Sequence, residues 1–131
     1  MHNIKKIAEK ILNKGVNPKK VAAFIIETYQ GWGAIFYPKD YIKEMEKWAK
    51  YYKALIIVDE IQSGFGRTGR LFGYEHYDIK PDLVICGKAI SGNLPLSAVL
   101  GSKKLIELDP TTSSTHGGHP FSCAAALGNL E

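Results

Sequence analysis

Three ionisable side chains stand at or just after the ends of apolar segments that have the length of a β-strand. They are Glu27, Asp59 and Lys88. In open α/β sheets, ligands bind outside the carboxyl ends of the strands, so these groups could share one site. A carboxylate and an amine at adjacent strand ends could hold a cofactor between an anion and a nucleophile. They could also form a simple salt bridge, and the spacing alone leaves both interpretations open.

Two motifs near Asp59 could instead indicate nucleotide binding. The apolar run before Asp59 has the form of the magnesium-holding strand of nucleotide hydrolases, but the G-x-x-x-x-G-K-[ST] phosphate loop is missing from the sequence. Residues 64–69 match G-x-G-x-x-G. In the dinucleotide fingerprint, however, the first glycine follows the strand directly and the last opens a helix. Here Ile61, Gln62 and Ser63 intervene, so the motif argues only weakly for a dinucleotide.

Other reactive side chains give weaker signals. His116, His119 and Cys123 could suggest a metal site, but they lack C-x-x-C or H-E-x-x-H spacing and a fourth ligand is not apparent. Cys86 lies within an apolar run and is expected to pack as a small hydrophobe. Trp32 stands between two glycines, where an aromatic side chain at a strand end could line a pocket.

The overall composition is that of an ordinary globular chain. Of the 131 residues, 45% are hydrophobic and 23% are charged, which argues against disorder or a fibrous structure. The net charge of +4 comes largely from scattered lysines near the start, a pattern too diffuse to indicate nucleic-acid binding. Apolar runs are far shorter than the roughly 20 residues that cross a bilayer, so we expect no membrane association. Two cysteines cannot form a disulfide framework, and a cytoplasmic location is expected.

Hydrophobic periodicity and turn residues predict alternating helices and strands. A first helix is expected at residues 3–14, ended by Gly15 in the left-handed conformation. Asp40 is expected to cap a helix whose apolar face carries Tyr41, Met45, Trp48 and Tyr52. Residues 28–38 are expected to form a loop. The remaining predicted elements are strands at 21–26, 54–58, Leu83–Cys86 and 96–100, a short helix at 103–108, and a helix from Phe121 onward.

This alternation predicts an α/β fold with right-handed crossovers and a mostly parallel sheet covered by helices on both faces. Only three or four strands are expected, and the last helix runs into Glu131 without a stop signal. We therefore interpret the chain as part of a larger domain.

Several ordered motifs resemble one family of enzymes. They are IVDEIQSGFGRTG at 57–69, PDL at 81–83, GKAI at 87–90, LPLSA at 94–98 and THGGHP at 115–120. Together they are similar to the class III, pyridoxal-phosphate-dependent aminotransferases, which include the ornithine, acetylornithine and 4-aminobutyrate aminotransferases. The resemblance extends from about Val21 to the end of the chain, and it implies the large domain of the fold type I transferases.

The resemblance also implies roles for four residues. Lys88 corresponds to the lysine that holds pyridoxal 5'-phosphate as a Schiff base, and Asp59 to the carboxylate that faces the pyridine nitrogen. Gln62 corresponds to the residue near the phenolic oxygen of the ring, and Thr115 to a contact with the cofactor phosphate across a dimer interface. An anion about 4 Å from the ring nitrogen would contribute roughly 4 kcal/mol at an effective dielectric constant of 20, enough to keep that nitrogen protonated.

The implied activity is transfer of an amino group from an amino acid or ω-amino acid to a 2-oxo acid. By the same resemblance, residues 1–131 are the central piece of the large domain, and the full-length protein is a homodimer. The N-terminal segment and the C-terminal small domain are absent from this sequence. Because the helix start that neutralises the cofactor phosphate lies in the absent part, we expect the isolated chain to bind cofactor poorly and to lack turnover.

Departures from the family pattern limit what can be carried over. Where the family often has E-P-x-Q-G-E-G-G, this chain has ETYQGWGA at residues 27–34, and Trp32 takes the place of the second acid. In the ω-amino-acid enzymes that acid pairs with a C-terminal arginine and switches between substrates. Specificity for ornithine or 4-aminobutyrate is therefore not inferred. His119 replaces an asparagine, and Ser91-Gly-Asn93 replaces a glycine triplet.

Three alternatives stay open at this point. An amino-acid epimerase or racemase of the same family would use Lys88 and Asp59 but return the proton to the α carbon. The chain could also be a non-catalytic fragment that serves, if at all, in a dimer interface. A nucleotide-hydrolase fragment would be favoured only by a phosphate loop upstream of Met1.

Overall fold

The computed structural model describes residues 9–10, 13–109 and 114–131. Short 3₁₀ segments occur within these ranges at Pro18–Lys20, Gly73–Tyr77 and Lys88–Ser91. The α-helices are α1 (Lys39–Tyr52), α2 (Lys103–Ile106) and α3 (Pro120–Leu130). The strands are β1 (Ala23–Glu27), β2 (Tyr29–Gln30), β3 (Ile35–Phe36), β4 (Leu55–Asp59), β5 (Leu83–Cys86) and β6 (Ala98–Gly101).

The main sheet has the strand order β1-β4-β5-β6. β4 pairs in parallel with both β1 and β5, so the prediction of a mostly parallel α/β sheet is confirmed. The edge strand β6 is antiparallel to β5. A parallel return needs a crossover of about a dozen residues or more, usually a helix. Residues 87–97, which connect β5 to β6, hold only the short 3₁₀ segment Lys88–Ser91. This connection lacks the helix of a parallel crossover, which agrees with the antiparallel direction of β6.

Strand β5 has the predicted bounds, whereas β1, β4 and β6 lie one or two residues nearer the C-terminus than predicted. The apolar run 21–26 becomes β1, and 54–58 becomes β4, so Glu27 and Asp59 are the last residues of their strands. These two acids face each other in the β1–β4 register. Backbone pairing therefore continues past the apolar run and fixes the positions of both carboxylates.

The expected loop at residues 28–38 contains a small antiparallel hairpin. Tyr29 of β2 pairs with Phe36 of β3, and Gln30 pairs with Ile35. The rings of Tyr29 and Phe36 are 5.2 Å apart. Strands of two residues are too short for an alternating pattern to be recognised in the sequence.

Helix α1 is the long amphipathic element predicted from its apolar period. Its N-cap residue is Pro38, whereas Asp40 lies in the first turn, so the prediction that Asp40 caps the helix is wrong. An acid there still favours the helix through the positive end of its dipole. Lys53 ends the helix in the left-handed conformation, with φ 60, and its N–H donates to the carbonyls of Ala49 and Lys50.

The hydrophobic core lies between α1 and one face of the sheet. Met45 and Trp48 of α1 are buried, and the Trp48 ring meets Phe24 of β1 at a centroid distance of 5.0 Å. Tyr41 and Tyr52 are partly buried and pack against this core as expected. The sheet contributes alternate residues, which include Ile56, Val58, Val84 and Cys86.

The opposite face of the sheet is less covered. Ile25 of β1 is 64% exposed and Val99 of β6 is 51% exposed. Coverage by helices on both faces was expected, but within the described ranges only one face is deeply buried. This face of the sheet therefore leaves apolar strand residues exposed to solvent.

The short elements agree in part with the sequence. The predicted helix at 103–108 is only one turn, α2, and the helix expected from Phe121 is α3. The Asn129 side chain of α3 donates to the Ala89 carbonyl at 2.8 Å. Most of the helix predicted at 3–14 lies outside the described residues, but Gly15 has the expected positive φ of 74. None of the helices in the described part is long and apolar enough to span a membrane.

We predict that the two cysteines differ in reactivity. Burial raises the pKa of the Cys86 thiol to about 11, and the negative charge of nearby Glu60 adds to this effect. Near neutral pH the reactive thiolate of Cys86 is therefore scarce, whereas Cys123 is only half-buried. Iodoacetamide at about pH 8 should alkylate Cys123 and spare Cys86 until the chain is unfolded in concentrated urea, as read by mass spectrometry of peptides. Equal labelling of both thiols in the folded chain would contradict the structure.

Candidate functional site

The carboxyl ends of β1, β4 and β5 bring the predicted ionisable groups to one edge of the sheet. Asp59 pairs with Glu27 on one side and with Ile85 on the other. Lys88 follows Ile85 by three residues, just beyond the end of β5. The structure therefore places Glu27, Asp59 and Lys88 on neighbouring strand ends, as the sequence predicts.

Glu27 is engaged by its own loop. Its Oε2 accepts a hydrogen bond from the backbone N–H of Gly31 at 2.9 Å. This contact closes the turn that leads from β1 into the hairpin. The hydrogen bond with Gly31 therefore gives Glu27 a structural role within its own loop.

Asp59 is half-buried at the end of β4. Its Oδ1 accepts a hydrogen bond from the backbone N–H of Ile61 at 2.9 Å, which orients the carboxylate. Within the described ranges Asp59 forms no salt bridge with Lys88 or with any other cation. The structure therefore does not support a salt bridge between Asp59 and Lys88.

Lys88 is exposed and has the uncommon positive φ of 41. Left-handed backbone at a non-glycine residue is costly and often marks a functional position. Lys88 lines a cavity of about 680 Å³ together with Gln62, Tyr29 and Arg67, and residues 89 and 92–96 complete the lining. Asp59 is not among the residues that line this cavity.

Gln62 reaches the Lys88 cavity by passing close to the hairpin. A Cβ atom built at Gly31 would lie 1.9 Å from the Gln62 Oε1, so a side chain at position 31 would require the Gln62 amide to move. The Gln62 side chain therefore lies directly against the backbone of the hairpin loop. The structure brings Gln62 and Lys88 to one cavity, although they are far apart in the sequence.

The other sequence candidates lie away from this cavity. Thr115 is exposed in the turn formed by residues 115–118, and Trp32 is 83% exposed. Neither residue lines the Lys88 cavity. In the part of the chain that the structure describes, no group of three or more His, Cys, Asp and Glu residues could hold a metal ion, and this includes His116, His119 and Cys123.

The glycine-rich segment at 64–69 forms turns and does not open a helix. Gly66 and Gly69 have positive φ values of 88 and 83, and the Gly69 N–H donates to the Gly66 carbonyl at 3.0 Å. The following helical segment starts only at Gly73. The dinucleotide interpretation therefore lacks its required strand–turn–helix geometry.

Sequence reasoning missed the role of Glu60, which has 0% relative exposure. Its carboxylate accepts hydrogen bonds from the Ser63 hydroxyl at 2.6 Å and from the backbone N–H groups of Gly73 and Tyr74, each at 2.8 Å. The Thr28 hydroxyl donates to Ser63 Oγ at 2.8 Å and extends the network to the end of β1. Glu60 thus fixes the long segment between β4 and β5. An acid directly after a buried strand was the available signal, but nothing in the sequence says which N–H groups it meets.

Comparison with known proteins agrees with the motifs. A sequence profile of the family described as Aminotransferase class-III matches residues 2–131. Ornithine aminotransferase of Schizosaccharomyces pombe is 45% identical over 116 residues, which cover 86% of this chain and 26% of that protein. The 2-aminoadipate transaminase of Pseudomonas putida is 40% identical over 129 residues, which cover 95% of this chain and 31% of that protein.

Solved structures show the same similarity. An S-selective transaminase from Bacillus megaterium superposes with a TM-score of 0.86 at 40% identity, over 97% of this chain and 28% of that chain. Ornithine aminotransferase from Toxoplasma gondii superposes with a TM-score of 0.81 at 37% identity, over 98% of this chain and 30% of that chain. The active site of that protein is partly occupied by pyridoxal phosphate. The present chain spans less than a third of the length of these relatives.

We predict that Glu60→Gln destabilises the chain by about 2–4 kcal/mol, because an amide cannot accept all three hydrogen bonds and leaves buried donors unsatisfied. Urea unfolding followed by circular dichroism measures this loss. The matched control is Glu44→Gln on α1, where only an exposed pair with Lys47 is removed. That control should change stability by about 0.5 kcal/mol or less. Equal effects of the two substitutions would contradict the proposed structural role of Glu60.

Proposed function

The chain belongs to the class-III aminotransferase family, and from this premise we propose that it takes part in pyridoxal-phosphate-dependent amino-group transfer. The amino donor would be an amino acid or ω-amino acid, and the acceptor a 2-oxo acid. The single observation that carries the proposal is the exposed Lys88, which has no ion-pair partner among the described residues and lines a cavity together with Gln62. The relatives reported above are named aminotransferases or transaminases, which favours transfer over epimerisation.

The residues present fit a small cofactor that carries an aldehyde and a basic ring nitrogen. Lys88 offers a nucleophilic nitrogen at the cavity surface, and the cavity volume of about 680 Å³ lies within the range of roughly 300–1,000 Å³ that is typical of small-molecule sites. The Asp59 carboxylate at the neighbouring strand end has one oxygen held by Ile61, which orients it without neutralising its charge. These observations support the assignment of pyridoxal phosphate as the cofactor.

Each residue would have a separate task. Lys88 would hold the cofactor through Nζ at its aldehyde group, and the same amine would be placed to carry a proton to and from the substrate carbon. Asp59 would keep the ring nitrogen protonated, and Gln62 would donate to the phenolic oxygen. Thr115 would contact the phosphate of a cofactor in a partner subunit. When bound, the cofactor supplies the electron sink that makes the substrate C–H bond acidic.

We further propose that residues 1–131 form the central piece of the large cofactor-binding domain and that the full-length protein is a cytoplasmic homodimer. The share of each relative that the chain covers, 26% and 31% for the two proteins described above, supports the first part. The exposure of Ile25 and Val99 supports it as well, because a further layer would bury this sheet face. The exposed position of Thr115 is compatible with a contact across a dimer interface.

We predict that pyridoxal phosphate followed by borohydride reduction labels Lys88 in preference to the other lysines. Attack on the aldehyde needs an accessible amine, and contacts in the cavity would add to the retention of the cofactor at this site. Peptide mass spectrometry gives the fraction of label on each lysine. Lys88→Ala should remove the dominant adduct, whereas Lys80→Ala, at an exposed position before β5, should leave it unchanged. Label spread evenly over the surface lysines would argue against cofactor binding by this chain.

A further inference from the structure

A second cavity lies between the β2–β3 hairpin and the segment that follows the glycine-rich turns. Its volume is about 480 Å³, which is enough for a small organic molecule. Tyr29, Ala34 and Phe36 line it from the hairpin side, and Tyr77 lines it from the 3₁₀ segment Gly73–Tyr77. Much of the wall is therefore apolar or aromatic, which favours a ligand with an apolar body.

Most polar groups of this cavity already have partners within the chain. The Tyr77 hydroxyl donates to the Thr28 carbonyl at 2.7 Å. The Thr28 hydroxyl donates to Ser63 Oγ at 2.8 Å. The His76 Nε2 contacts the Thr68 carbonyl at 3.0 Å. Since these groups are satisfied, they neither require a polar ligand nor oppose an apolar one.

Arg67 is the exception. It lines the cavity and is exposed, and among the described residues no carboxylate lies within salt-bridge distance of its guanidinium. No Asp or Glu belongs to the cavity wall, so no negative charge in the wall would repel an incoming anion. A guanidinium presents paired N–H donors that match the two oxygens of a carboxylate.

Arg67 and Tyr29 also line the Lys88 cavity. The two cavities therefore adjoin at these side chains, and a carboxylate bound by Arg67 would lie on the boundary between them. The apolar body attached to that carboxylate would extend into the second cavity.

We propose that the second cavity binds a carboxylic acid with an apolar or aromatic body and that Arg67 holds its carboxylate. The identification of this acid as the amino-acid or 2-oxo-acid substrate, one that carries an apolar side chain, rests on the proposed function. The binding itself depends only on the cavity and on the guanidinium of Arg67.

The test uses 3-phenylpropionate as the probe and 3-phenylpropan-1-ol as its neutral counterpart. Titrations of the 131-residue chain, followed by amide shifts in ¹H–¹⁵N spectra, give the dissociation constants and the residues affected. The acid should shift the signals of Tyr29, Ala34 and Arg67, and it should bind about tenfold more tightly than the alcohol, since only the acid meets the guanidinium through charge-assisted hydrogen bonds.

Two arginine variants provide the matched comparison. Arg67→Gln should weaken binding of the acid by about tenfold and leave binding of the alcohol unchanged. Arg70→Gln removes an equal charge from the same segment but outside the cavity wall, and it should change neither constant. Equal weakening by both variants would assign the effect to net charge and overturn the proposal.

Further outcomes separate this proposal from the proposed function. If the unaltered chain binds the acid and the alcohol equally, or binds neither, Arg67 is not a carboxylate site, and this result stands even if Arg67→Gln fails to fold. Borohydride labelling of Lys88, which needs no carboxylate, is measured on the same sample. Label on Lys88 without acid binding would overturn only the proposal that the second cavity binds a carboxylic acid. Acid binding without label would leave the Arg67 site standing and would argue only against cofactor binding by the 131-residue chain.

Discussion

Parallel pairing of β1, β4 and β5 is the constraint on which the candidate site depends. In a parallel sheet all carboxyl ends point to one edge, so side chains that follow different strands are brought together. The β1–β4 register sets Glu27 against Asp59, and the β4–β5 register sets Asp59 against Ile85, just before Lys88. A slip of one residue would turn Asp59 to the other face of the sheet. The backbone hydrogen bonds therefore determine which ionisable groups can act on one molecule.

The segment between β4 and β5 is held by a buried carboxylate. Glu60 binds the N–H groups of Gly73 and Tyr74, and through Ser63 it connects to Thr28 at the end of β1. This segment carries Gln62 and Arg67, which line the Lys88 cavity. The network thus links the position of the cavity wall to the same strand ends that position Asp59 and Lys88. A single buried acid does this because its two oxygens accept several hydrogen bonds at once.

Much of the fold could be predicted from local patterns. The apolar runs indicated β1, β4 and β5, and the period of α1 indicated its buried face, because burial imposes these patterns on the sequence. The β2–β3 hairpin was missed because two-residue strands carry no pattern. The N-cap of α1 was misplaced by two residues because Pro38, with its fixed φ, precedes the acid that the rule selects. The antiparallel direction of β6 could not be predicted from the residues of the strand, because it depends on the short connection between β5 and β6.

The identities of Lys88, Asp59 and Gln62 as candidate residues came from the sequence, since the motifs that carry them are contiguous and specific. Their relation in space came only from the tertiary structure. Gln62 shares a cavity with Lys88, and Arg67 lines both that cavity and the second one. Asp59 ends the strand next to β5, is not part of the cavity lining and does not pair with the lysine. Contacts of this kind join residues that are distant along the chain. Local sequence patterns record burial and backbone preference, whereas these contacts are set by strand register and loop packing, which only the folded chain defines.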